Sequence, residues 1–271
     1  MDTNPPRWFL ARPALTGRRG TCPAGPAAVR PPIPATRGLA AACVAVWTLV
    51  SSLCGGQEGA APPSATGIVE GTVRYQADPS RPWRYARYYV KRLSSGELAE
   101  AVVALRAIRG ASLRDPHPAA RPPQTVVIDQ KDFTFQPETV VLRRGDTVRF
   151  LNSDGAAHNV QASSEVASFN VTMPQGGTYA VTLDKAGGTR QPIQVGCVFH
   201  SAMRAWIFVF DHPFYQLTGS DGRFRLADVP PGEYELEVVH PAGALAARQR
   251  ISLRPGQTLQ LDIRLAPADN R

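Results

Sequence analysis

Between residues 68 and 265, apolar and polar positions alternate in short runs closed by Gly, Pro, Asn or Asp, the period expected of half-buried strands. "IVEGTVRYQ" (68–76) is one such run, and "LAEAVVALRAI" (98–108) holds another in "AVVAL". Within 125–210 follow "TVVIDQ", "TVVLRRGDTVRFLNSD", "TYAVTLD", "IQVGC" and "AWIFVF", rich in β-branched and aromatic residues and without a helical period. The Gly-Asp of "RRGDT" predicts a hairpin between Arg143 and Thr147. An all-β sandwich or barrel is expected. "RPWRYARYYVKRL" (81–93) interleaves basic and aromatic residues, a pattern shared by a cation–π docking patch and an exposed strand or loop; the second reading is the simpler. "RDPHPAARPPQ" (114–124) breaks the chain and marks a boundary.

The last sixty residues carry a different signature. "TGSDGRFRLADVPPGEYELEVVHP" has an Asp-Gly turn, the strand of Phe224 and Leu226, a Pro-Pro-Gly turn, and the strand of Tyr234, Leu236 and Val238. "RISLRPGQTLQLDIRL" adds a hairpin around Pro255-Gly256. This stretch resembles the carboxypeptidase regulatory-like, or transthyretin-like, sandwich. That fold begins with a "GxV…AxVxL" pair of strands, and the matching "EGTVRY" and "AEAVVAL" lie far upstream. The resemblance therefore implies one sandwich made of 68–118 and 211–267, interrupted by an inserted domain at 122–210. Neither flank alone is long enough for a stable core. An insertion of this kind predicts that 125–210, once excised, folds alone and leaves a folded remainder.

Charge changes the picture only after it is located. The chain has 271 residues and a net charge of +8, but residues 1–56 hold six arginines and one acid, leaving 24 basic and 21 acidic residues beyond them. No compact basic motif remains, which excludes a nucleic-acid binder. "LAAACVAVWTLVSSL" (39–53), preceded by Arg30 and Arg37, fits the apolar core of a secretory signal better than a full membrane span. Residues 1–56 are read as a leader and 57–67 as a linker. Cleavage near 56–61 is expected, and an uncleaved leader attaching the chain to a membrane is the alternative. Both place the folded part outside the cytoplasm, in a periplasmic or extracellular setting.

Of the four cysteines, Cys22, Cys43 and Cys54 lie in or beside the leader, so Cys197 remains alone in the exported part. A lone thiol in an oxidising compartment is exposed to oxidation unless something protects it. "GCVFHSAMRAW" (196–206) places His200 and Met203 after Cys197 at steps of three. Three readings compete: a metal site, a nucleophile with its base, and ordinary core. A nucleophile–base pair needs an orienting Asn or Asp and leaves Met203 without a role. Thiolate, two imidazoles and a thioether form the donor set of a type 1 copper site. "NSDGAAHNV" supplies the second imidazole as His158. His117, His212 and His240, each near proline, read as structural.

Residues 125–210 resemble a cupredoxin of the plastocyanin and amicyanin kind. "GDTVRFLNSDGAAHNV" matches the strand and loop around the first family histidine, and "CVFHSAM" has the C-x2-H-x2-M spacing of amicyanin, without the proline often found in that loop. The resemblance implies a Greek-key sandwich holding one copper on His158, Cys197, His200 and Met203, with Asn159 bridging the ligand loops from behind. The whole arrangement also resembles exported bacterial proteins of the methylamine-utilisation-like and plastocyanin-like groups. The implied function is one-electron transfer between redox partner proteins, without enzymatic activity. Copper trafficking and an envelope adhesion module are the alternatives.

Overall fold

The computed structural model describes residues 65–77, 90, 94–108, 111, 113–115 and 121–267. The leader, residues 57–64 of the linker, His117 and all of the basic-aromatic stretch except Val90 lie outside the described residues. Sixteen strands and no helix are present among them.

The first sandwich pairs a three-stranded sheet, in the order β13 (Arg223–Val229), β1 (Gly67–Tyr75), β16 (Thr258–Leu265), with a four-stranded sheet, β12 (Tyr215–Leu217), β2 (Val102–Ala107), β14 (Gly232–His240), β15 (Leu245–Leu253). Its core holds residues from both ends of the chain. Val69 sits opposite Leu226, Val73 opposite Ile263 and Leu105 opposite Leu236, and all of these side chains are buried in one cluster. The chain leaves this sandwich after β2 and re-enters it at β12, so the intervening strands are inserted.

The inserted sandwich has a four-stranded sheet, β4 (Thr134–Gln136), β3 (Thr125–Lys131), β6 (Thr147–Asn152), β9 (Thr178–Thr182), facing a five-stranded one, β5 (Thr139–Arg143), β11 (Arg204–Phe210), β10 (Ile193–Gly196), β7 (His158–Ser163), β8 (Ser168–Met173). Phe150, Ile128, Leu142, Val148 and Ile207 fill its interior.

Two expected hairpins are not formed. β5 pairs with β11 and β6 with β3 and β9, so "RRGDT" carries the chain from one sheet to the other. Asp146 secures this crossing by accepting from the backbone N–H groups of Gln124 and Arg143 and from the Arg121 guanidinium. Pro255-Gly256 likewise joins β15 to β16 across the first sandwich, where β16 runs parallel to β1. A tight turn suits a hairpin and a sheet crossing equally well, and the partner strand decides between them.

β11 explains why "AWIFVF" lacks alternation. Ala205, Ile207 and Val209 point into the inserted core, while Trp206, Phe208 and Phe210 point outward against Val102 and Ala104 of β2. Both faces are dry, so both are apolar. Tyr215 stacks on Phe210 with ring centroids 4.5 Å apart. At the margin of this seam, Glu237 of β14 accepts from Thr189 and Arg190 of the inserted domain.

His212 lies against this seam among Phe210, Phe214 and Tyr215, and accepts from the Phe214 N–H at Nδ1. His240 accepts from Gly243 in the β14–β15 turn. Burial pushes each imidazole down to about 4 from its ordinary 6.5. Between these values the unfolded chain binds protons that the folded chain does not, so stability is complete above pH 6.5 and falls as the pH drops toward 4. The expected loss is about 1.4 kcal/mol per pH unit for each histidine. Urea midpoints at about pH 7 and pH 5 measure it, and His212→Gln should flatten the dependence.

Candidate metal centre

The site is built where three strands end together. β10 and β11 are neighbours joined by residues 197–203, with Gly196 opposite Arg204. Gly196 also sits opposite Gln161 of β7, the strand that His158 begins. The sequence reading places His158 in a loop; in the structure it is the first residue of β7, fully buried opposite Met173.

Sheet pairing thus joins residues that lie far apart in the chain. Donor atoms of His158, Cys197 and His200 all lie within 4.8 Å of one another. The two Nδ1 atoms face each other at 3.1 Å, and Cys197 Sγ is 3.7 Å from His200 Nδ1. These edges suit a single ion bonded to nitrogen at about 2.0 Å and to sulfur at about 2.3 Å. Two imidazoles and a soft sulfur in a three-sided arrangement fit copper. Met203 is buried in the same apolar cluster as Cys197, and its N–H donates to His200 O at 3.0 Å, closing the loop.

Exposure grades sharply across the site. His158 and Cys197 are buried and His200 is half-buried, yet Phe133, Val198 and Phe199 around it are each more than half exposed. Phe133 meets both imidazoles edge to face, with centroids 5.4 Å from His158 and 4.9 Å from His200.

These findings converge with a comparison of families. Residues 123–209 match the family of copper binding proteins of the plastocyanin/azurin type, and residues 210–266 match the carboxypeptidase regulatory-like domain. The first of these matches spans the strands and loops that hold the donor cluster. Among solved structures, amicyanin from Paracoccus versutus is similar at 21% identity over 40% of this chain and 97% of that one, with a TM-score of 0.29. A mutant of amicyanin in the Cu(I) state is similar at 22% identity over 32% of this chain and 82% of that one, with a TM-score of 0.28. The copper-containing nitrite reductase of Thermus scotoductus SA-01 is similar at 22% identity over 40% of this chain and 25% of that one, with a TM-score of 0.31. No curated protein matches the chain.

Around the donor cluster, the structure specifies one expected contact and adds another. Asn159 reaches Cys197 through its backbone N–H, 3.3 Å from Sγ. Its side-chain Nδ2 donates instead to Asn170 Oδ1 and Val171 O on β8. Its buried Oδ1 has no partner among the described residues, so the link from the His158 segment to the Cys197 loop runs through the Asn159 backbone. The residue missed in the sequence is Asp154. Its Oδ2 lies 2.7 Å from His158 Nε2, on the ring edge opposite the donor cluster. Burial works against the Asp154 charge, but the Phe133 N–H, His158 and the Asp132 N–H outweigh it and hold the carboxyl below its ordinary range. Asn152 steadies this loop, accepting from the Asp154 N–H and donating to Ala156, Met173 and Pro174 carbonyls. The only hint in the sequence was the spacing, an acid four residues before a candidate ligand.

Proposed function

We propose that this protein is an exported one-electron carrier, with His158, Cys197 and His200 as the equatorial copper ligands and Met203 as the axial one. Bound copper would supply the Cu(I)/Cu(II) couple. The observation that carries this reading is the graded exposure of the donors. Four protein donors to one copper would leave no open position for substrate, which argues against an enzyme. His200 alone reaches the surface, and it does so inside a ring of exposed apolar side chains, Phe133, Val198 and Phe199. A small apolar ring suits brief docking with a redox partner protein, where a short path to the metal matters more than affinity. Function outside the cytoplasm is supported by the leader pattern and the solitary thiol.

The copper-loaded protein should give a reversible one-electron wave and retain its metal through repeated cycles. Release of Cu(I) to a competing thiol on each reduction would favour trafficking instead. Met203→Leu should raise the potential, because losing the thioether weakens Cu(II) binding more than Cu(I) binding, and Met203→Gln should lower it. Each tenfold change in relative affinity corresponds to about 59 mV. Unchanged potentials in both variants would reduce Met203 to core packing.

A further inference from the structure

The turn joining β3 to β4 consists of Asp132 and Phe133, with Lys131 opposite Thr134. Both turn residues have positive φ, 54° and 55°. A two-residue turn of this hand is ordinarily built from Asn-Gly or Asp-Gly, since a bulky side chain at positive φ is strained. Phe133 is also half exposed, and its ring packs only edge to face against His158 and His200. What holds the turn is Asp154: Oδ1 accepts from the Asp132 N–H at 2.7 Å and Oδ2 from the Phe133 N–H at 3.0 Å. The same Oδ2 is the partner of His158 Nε2. One carboxylate therefore ties a strained surface turn to the most deeply buried imidazole of the donor cluster.

We infer that Asp154 is a positioning residue that couples the exposed Phe133 turn to His158, so that a protein pressing on Phe133 acts on the hydrogen bond that orients this imidazole. The inference rests on the copper reading for its functional meaning. Its structural core does not. Asp154 has no oxygen to spare: if the turn rotates out of its left-handed form, the carboxylate loses two donors and is free to swing from Nε2. Conversely, a ring that turns away from Asp154 leaves the turn's clamp with one partner fewer and a looser hold. A hydrogen bond from ring N–H to carboxylate also increases donation from the opposite nitrogen, which would stabilise Cu(II).

The first test uses the copper-free full chain and amide hydrogen exchange at Asp132 and Phe133. Asp154→Asn should accelerate exchange at one or both of these amides by about tenfold or more, because Asn keeps one acceptor where the carboxylate had two. His158→Phe, which touches neither amide by hydrogen bond, should accelerate them as well, and should add nothing in the Asp154→Asn background. Full additivity of the two substitutions, or no change in Asp154→Asn, overturns the coupling. The second test adds Cu(II). Asp154→Asn should raise the reduction potential, and Phe133→Gly, which also removes ring contacts with His158 and His200 in either background, should shift it more in the unsubstituted chain than beside Asp154→Asn. Equal shifts in both backgrounds overturn the inference. Absence of a thiolate–copper band in the unsubstituted chain would instead defeat the copper reading, and the exchange result would then decide the coupling alone.

Discussion

Cys197→Ser is expected to abolish the intense visible band that Cu(II) gives with the unsubstituted protein. The band arises from charge transfer between the Cys197 thiolate and copper, and no other cysteine lies among the described residues. With serine in place, the soft anionic donor is gone, and the two imidazoles and the thioether would hold Cu(II) as an ordinary tetragonal ion. The visible absorbance should drop by roughly tenfold or more. The substitution is nearly isosteric, so the sandwich should keep its far-UV circular dichroism. Titration of the full chain with Cu(II), followed by absorbance, decides the matter. An unchanged spectrum would place copper elsewhere and leave the 3.7 Å approach of Cys197 Sγ to His200 without chemical meaning.

Phe208→Ala should destabilise both sandwiches together. Its side chain is 1% exposed and lies in the seam with Trp206, Phe210, Val102 and Ala104, rather than in either core. Removing a buried phenyl ring costs about 3–5 kcal/mol when its surroundings cannot collapse. Because β11 and β2 present their backs to each other, that loss should appear as one denaturant transition, with the copper band and the far-UV signal disappearing at the same lowered midpoint. Two separate transitions, or a change within about 0.5 kcal/mol, would show that the seam is only a resting contact. The seam also alters the expectation that 125–210 and its flanks fold when separated. Each piece would expose an apolar face that the intact chain keeps dry, so excised domains should self-associate unless Trp206, Phe208 and Phe210 are replaced by polar residues.

Much of this was legible from residue order alone. Alternation named the inward faces, and the buried residues Phe224, Leu226, Tyr234, Leu236 and Val238 are the ones it marked. The donor types at Cys197, His200 and Met203 pointed to copper because their spacing confines them to one loop, whatever the rest of the chain does. The turn residues were also legible, but not their consequence: "RRGDT" and Pro255-Gly256 cross between sheets, since hydrogen-bonding partners far away in the chain determine which sheet each strand joins. Asn159 illustrates the same limit, because a neighbour of His158 in sequence turns its amide to β8 once β7 and β8 pair. Asp154 shows it most clearly. An acid in a loop has no role that local sequence can assign. Its role appears only when the β3–β4 turn, 21 residues earlier, is folded over it and the His158 ring is turned toward it. Local order determined which residues could pair with water, with apolar neighbours or with a soft metal. Only the tertiary structure decided which of them meet, because contacts across a sandwich are set by strand pairing and by the exclusion of water between faces.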